Sequence, residues 1–169
     1  SRCVAASASD TAPALVALDA SMVIRSLNGE RVVAAEDYFV GPAIDILHTT
    51  VLRPGEILTA VRIPSSWANA SFYFEKVADR NVWDFSLVSI AAAFKVSGGT
   101  IEDSRIVCGA VQTTPRRVTS AEDAIRGQAR NAATAESAAA VSTNGARALA
   151  HNGFKIPLMQ NLVRRAISA

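Results

Sequence analysis

The spacing of apolar residues changes several times along the chain, and each change predicts an element. Between Ala12 and Ala20 the apolar positions Ala14, Leu15 and Leu18 recur at helical spacing. Ser9, Asp10 or Thr11 can cap this helix, because a short side-chain oxygen accepts from amides that the first turn leaves without partners. Pro13 is tolerated there, since that turn has no intrahelical donor to lose. On residue type alone, Asp10 is a helix cap. Ser21–Leu27 and Glu30–Ala34 then flank Asn28-Gly29, a strong signal for a two-residue hairpin turn. Met22 and Ile24 share one face of the first strand by alternation, and Val23 and Arg25 the other. Glu36-Asp37-Tyr38-Phe39 predicts a short helical turn broken by Gly41-Pro42. A turn at Leu52–Glu56 leads into a strand over Ile57–Ile63 that Pro64 stops.

Ser65–Ala70 is small and polar apart from one tryptophan, which makes it the expected boundary between two units, 1–66 and 67–169. Ser71–Val77 alternates as a strand, with Phe72 and Phe74 on one side and Tyr73 and Glu75 on the other. Ala78–Phe85 is a polar loop. Ser86–Val96 is a long apolar strand, turned by Gly98-Gly99 into a partner over Thr100–Val111. Three antiparallel strands covered by helices are the fold this pattern implies, with the chain leaving the sheet at Thr113–Arg117. Thr119 and Glu122 have capping-box spacing at the head of a helix over Ser120–Arg126, which Gly127 closes. Asn131–Val141 is an alanine-rich helix, and Asn144-Gly145 and Asn152-Gly153 punctuate the segment after it. The last helix, about Ile156–Ser168, carries Leu158, Leu162 and Ile167 near one face, with Arg164 and Arg165 near its C-terminal end. Helices alternating with antiparallel strands make the fold class α+β.

Composition narrows the function classes. With 169 residues, 50% apolar and 19% charged, the chain can bury a real core and fits a folded soluble protein of one or two small domains. The net charge of +2 is scattered, with no basic stripe interleaved with aromatic residues, so nucleic acid is a poor partner. No apolar run approaches the roughly 20 residues of a membrane span, and no signal peptide is recognisable. Cys3 and Cys108 are the only cysteines, far apart, and are expected to be buried or semi-buried free thiols. They cannot build an iron–sulfur or zinc site alone, and His48 and His151 show no ligand spacing. Walker and GxGxxG loops are absent, and no Ser/His/Asp set can be proposed. Adjacent acids such as Glu36-Asp37, Glu102-Asp103 and Glu122-Asp123 would point oppositely in a strand and suit solvated faces better than acid/base pairs.

One set of motifs goes further. The chain opens Arg2-Cys3-Val4-Ala5 and continues Ser9-Asp10-Thr11-Ala12-Pro13-Ala14-Leu15-Val16-Ala17-Leu18-Asp19-Ala20. Gly55-Glu56-Ile57-Leu58, Tyr73–Arg80 and Val88–Ala93 come next, then Ile106-x-Cys108-Gly109-Ala110-Val111. Thr114-Pro115-Arg116-Arg117 with Ala121-Glu122, and Phe154-Lys155-Ile156-Pro157-Leu158, complete the series. In order and spacing these resemble the FAD-binding medium subunit of the molybdenum hydroxylases, the xanthine dehydrogenase, aldehyde oxidoreductase and carbon monoxide dehydrogenase flavoproteins. The resemblance implies the second lobe of a flavin-binding domain, followed by that family's small C-terminal domain.

It also implies roles. The aspartate matching Asp10 contacts FAD in the family. The residue matching Leu58 packs against the adenine side, although a leucine in a strand is equally an ordinary core residue. The lysine matching Lys76 lies beside the flavin, where its charge could favour an anionic reduced state, or it could snorkel to water. The loop Val77–Leu87 matches one near the isoalloxazine; it holds Trp83 and Asp84, and Trp83 could stack on a ring or, the favoured choice, cap the core.

The family's glycine-rich N-terminal lobe for the FAD pyrophosphate has no counterpart here, so this chain alone is expected to bind FAD weakly or not at all, and to be inactive in isolation. The leading function is therefore a fragment of an FAD subunit. In the intact enzyme electrons would pass from a molybdopterin centre in a large subunit, through [2Fe–2S] clusters in a small subunit, to FAD and an acceptor. The alternative is a remnant without cofactor that only docks or scaffolds partner subunits. A cytoplasmic location is expected, or a periplasmic one through a partner's signal. Neither substrate nor electron acceptor is readable.

Overall fold

The computed structural model describes residues 3–169; Ser1 and Arg2, where the opening motif starts, lie outside the described residues. Two antiparallel sheets and five α-helices make an α+β fold. The first sheet has the order β2-β1-β3, from β1 (Ser21–Ser26), β2 (Gly29–Ala34) and β3 (Ile57–Arg62). Its hairpin turns at Leu27-Asn28, since Ser26 pairs with Gly29, so the loop sits one residue earlier than the Asn-Gly signal implies. Gly29 alone takes the positive φ, at 125°, and does so as the first residue of β2. Arg31 of β2 grips Glu56, Nε to Oε1 at 2.9 Å and Nη2 to Oε2 at 2.7 Å, and this fork ties the hairpin to the turn that starts β3.

The second sheet has the order β4-β5-β6-β7, from β4 (Ser71–Val77), β5 (Val88–Ser97), β6 (Thr100–Gly109) and β7 (Arg116–Arg117). Four strands stand where three were expected. The chain leaves β6, turns through Thr113–Pro115, and comes back to pair Arg117 with Val107 and Arg116 with Cys108. Gly98 and Gly99, both at positive φ, make the β5–β6 turn as the sequence implies. β5 starts at Val88 and not at Ser86, which frees the Ser86 hydroxyl for another partner.

Helices α3 (Thr119–Ile125), α4 (Ala132–Ser142) and α5 (Lys155–Ser168) cover one face of this sheet. Ile90, Phe94, Ile106 and Cys108 meet Ile125, Ala135, Ala138, Leu162 and Ile167 there in one core. Alanines on α4 let the helices approach closely. The Asn131 side chain caps α4 by accepting from the Thr134 amide at 2.9 Å.

The expected capping box on α3 does not form. Val118 takes the cap position, and Glu122 turns inward, 1% exposed, to accept from the Ile106 amide at 2.9 Å and from the Arg117 guanidinium at 2.9 and 3.1 Å. A buried carboxylate is tolerable only when its oxygens are met in this way. Arg117 also reaches Glu36 of the short helix α2 (Ala35–Tyr38), Nη1 to Oε2 at 3.1 Å, and so links the first-sheet unit to the second.

Helix α1 (Thr11–Ala17) lies on the other face of the second sheet. It buries Ala12, Pro13, Val16 and Ala17, together with Ala20, whereas the expected stripe of Ala14, Leu15 and Leu18 is only partly covered. Small residues make the contact because the approach is close. A Cβ added at Gly109 would clash with Ser89 Oγ and stand 2.8 Å from Pro13 Cγ. The core under α1 joins Met22 and Ile24 of the first sheet to Ala91 and Val107 of the second, so this helix is packed between both sheets. The connector supplies a further tie. A 3-10 turn at Ser65–Trp67 buries Trp67, whose Nε1 donates to Asp19 Oδ2 at 2.8 Å, while Lys95 and Arg105 approach its ring. No helix among the described residues is long and apolar enough to cross a membrane.

Candidate functional site

The site grows from the start of α1. Asp10 occupies the N-cap position, yet its side chain makes no cap hydrogen bond. Ser9 does that work, its Oγ accepting from the Ala12 amide at 3.1 Å. The Asp10 carboxylate is thereby free to face away from the helix. Its Oδ2 accepts from Lys76 Nζ at 2.6 Å and its Oδ1 from the Ser86 hydroxyl at 2.8 Å.

Lys76 sits on β4, one residue before the strand ends, and its second proton goes to the Asp84 carbonyl at 2.6 Å. That leaves one of three N–H groups without a protein partner. The hydrogen bond from Lys76, helped by Ser86, holds the Asp10 carboxyl below the ordinary carboxylate range against the opposing effect of partial burial. At 29% and 40% exposure, the lysine and aspartate side chains are fixed in place yet open to a ligand.

The loop after β4 is organised by Asp84. Its carboxylate accepts from the Arg80 and Phe85 amides, each at 3.0 Å, and those amides lower its pKa. Arg80 closes the turn with a bond from Nη2 to the Trp83 carbonyl at 2.9 Å. Trp83 is held at φ 56°, a conformation costly for a bulky residue, and its side chain is 94% exposed. Of the two roles the sequence leaves open, stacking on a ring or capping the core, the favoured core cap is corrected by this exposure. The positive φ at the tip turns the indole outward, next to exposed Val82 and Phe85. Lys76, Arg80, Trp83 and Asp84 line a cavity of about 240 Å³ here.

The structure thus brings Asp10, Lys76 and Asp84 into one cluster. Leu58 stands apart, on β3 of the other sheet, paired with Ile24 and 38% exposed. It is not a core leucine, because no helix covers that strand. Sequence reasoning missed Ser86, which reads as the first residue of an apolar strand; its one hint is a hydroxyl directly after the loop. Both cysteines are free, as expected, and only the exposure of Cys3 departs from expectation. Cys3 is exposed, and Cys108 is fully buried with its thiol pushed up to about 12 by desolvation.

An ammonium held by a carboxylate and a carbonyl, with a donor to spare beside an open cavity, can present positive charge to an electron-rich ring edge. Residues 73–169 match the CO dehydrogenase flavoprotein C-terminal domain, and residues 1–66 match the FAD binding domain in molybdopterin dehydrogenase. The chain belongs to the FAD-binding medium-subunit family of the molybdenum hydroxylases.

Individual members of this medium-subunit family agree. The chain is 34% identical over 124 residues to the glyceraldehyde dehydrogenase medium chain of Sulfolobus acidocaldarius, covering 73% of this chain and 42% of that one. It is 31% identical over 163 residues to the nicotine 6-hydroxylase medium subunit of Paenarthrobacter nicotinovorans, covering 90% of this chain and 53% of that one. The solved structure of quinoline 2-oxidoreductase from Pseudomonas putida 86 superposes with a TM-score of 0.82 at 30% identity, over 96% of this chain and 56% of that one. This chain therefore spans about half the length of the medium subunits it matches.

Proposed function

We propose that this chain supplies the flavin-ring side of the FAD site in a molybdenum hydroxylase, with Asp10 and Lys76 as its principal contacts and the Asp84 loop at its edge. The observation that carries this is the release of Asp10 from helix capping by Ser9, which commits its carboxylate to Lys76 beside an open cavity. The donor set suits that end of the cofactor. The spare Lys76 proton can meet a ring carbonyl or nitrogen, and the Asp10 oxygens can accept from a hydroxyl of the ribityl chain. The pyrophosphate end finds no match in this cluster, because Cys3–Ser9 contains no glycine to allow the close backbone approach that phosphate loops use. Binding by this chain alone is accordingly weak and reversible.

When bound, FAD would supply the acceptance of electrons from the iron–sulfur centres and their release to an acceptor. The protein's share is electrostatic and steric. Asp10 and the Asp84 carbonyl hold Lys76 at the cavity, Ser86 fixes Asp10, and the Arg80–Asp84 turn with Trp83 borders the cavity. Leu58 would be an apolar contact on the adenine side. Partner docking, to a molybdopterin-binding large subunit and a [2Fe–2S] small subunit, is supported by the aromatic edge of β4. Phe72 and Phe74 are exposed there and line a shallow apolar groove of about 320 Å³ with Ala14 of α1 and Leu18 just beyond it.

The test is a fluorescence titration of FAD with the wild-type chain and with Lys76→Met. A saturable change that weakens about tenfold in the variant supports the proposal, since a charge-assisted hydrogen bond is removed. Equal curves for both proteins would reject Lys76 as a contact.

A further inference from the structure

Another cavity lies on the helical side of the molecule and shares no residue with the one lined by Lys76 and Asp84. It measures about 210 Å³ and opens between the end of β6, β7, the loop after α4 and the start of α5. Arg116, Arg147 and Lys155 line it from three separate segments, against an apolar wall of Val111, Ile156 and Met159, and no carboxylate lines it. None of the three cations makes an ion pair among the described residues, although most other arginines of the chain do.

Their donors are only partly spent. Arg116 gives one N–H to the Asn144 carbonyl at 3.3 Å, and Lys155 gives one to the Ala110 carbonyl at 2.7 Å. Both acceptors are neutral, so the positive charge stays uncompensated. Partial burial lowers the pKa of Lys155 for that reason, as desolvation without a counter-charge must. The first amides of α5 are not the attraction. Lys155 N and Ile156 N already donate to the Asn152 and Gly153 carbonyls, at 3.0 and 3.2 Å. An anion here would be held by side chains.

We propose that this cavity binds a small phosphate-type oxyanion, free or as the terminal group of a larger molecule. Two guanidinium groups and an ammonium lining one cavity from three segments suit a doubly charged tetrahedral anion, where a single carboxylate would engage one fork and leave the others unmet. The volume also suits a small group, below the roughly 300–1,000 Å³ of sites for drug-sized ligands. The site does not depend on the flavin reading and stands or falls separately.

The experiment is titration calorimetry of the whole chain with inorganic phosphate and, in a second arm, with glycerol 3-phosphate, each against chloride at matched ionic strength. Arg147→Gln removes an exposed side chain with no partner in the fold, and Arg116→Gln provides a second variant; Lys155 is left intact because it braces Ala110 at φ 61°. One-site binding of either probe, weakened about tenfold by each variant, is the expected result. Tighter binding of the ester than of inorganic phosphate would identify the anion as a terminal group, and the reverse would identify it as free. Absence of saturable heat beyond the chloride control, or wild-type binding by both variants, would overturn the proposal.

Discussion

Lys76 Nζ lies 2.6 Å from Asp10 Oδ2, joining the edge strand of one sheet to the start of a helix 66 residues earlier. The contact spans the two regions that match separate family domains, so it serves the architecture as well as the site. Its net stabilisation is on the order of 1 kcal/mol, because both side chains keep contact with water. A double-mutant cycle with Asp10→Asn and Lys76→Met, read by urea unfolding, should return a coupling of that size. Coupling near zero would make the contact incidental. Since the Asp10 carboxyl is held below its usual 3.8, this contribution is complete above that pH and disappears as pH falls through the lower folded value.

Glu122 is the most exposed to failure by substitution, because it is buried and satisfies both a strand amide and an arginine. Glu122→Ala should cost about 3–5 kcal/mol, since it strands the Arg117 charge and the Ile106 N–H. Chemical denaturation would measure it. A loss below about 1 kcal/mol would mean that water or Glu36 takes over, and that the buried carboxylate is dispensable.

Glu56 gives a second acid-range signature. Hydrogen bonds from Arg31, then from the Arg53 amide, pull its carboxyl down from 4.5 to about 2. The folded pKa is depressed, so the stabilisation is present above 4.5 and is lost as pH falls from there towards about 2. Melting temperatures measured across that window should converge for wild type and Glu56→Gln. Parallel curves would contradict the assignment.

The two thiols should react on different timescales. Cys3 is exposed, whereas Cys108 is buried with its thiol pushed up to about 12, so little thiolate forms at neutral pH. A chromogenic disulfide reagent should label one thiol quickly and the second only on unfolding. Two fast thiols in native buffer would show that the core around Cys108 opens.

Much of the fold was legible because it rests on local chemistry. The strands on either side of Gly98-Gly99, the alanine-rich helix and the last amphipathic helix can be read from period and turn residues alone. The illegible parts depended on tertiary partners. Glu122 has capping-box spacing, but Arg117 and the Ile106 amide outcompete the helix end for its carboxylate. Arg116 and Arg117 look like exit-loop residues until β6 offers them a free edge. At the site, Asp10 and Lys76 came from resemblance, since residue type gave a helix cap and a snorkelling lysine. Ser86 escaped notice because nothing local distinguishes a strand serine from one turned towards a carboxylate. For Trp83 the sequence leaves ring stacking and core capping both open and favours the core because tryptophans are mostly buried, a preference that the loop geometry around Asp84 reverses.

The most direct test of the flavin site is amide chemical-shift mapping of the 169-residue chain with FAD at millimolar concentration, where weak binding is visible. A flavin ring seated against the Asp10–Lys76 pair predicts shifts concentrated at Asp10, Lys76, Ser86 and the loop through Trp83 and Asp84, abolished in Lys76→Met. Absence of shifts, or shifts confined to other surfaces, would contradict that placement.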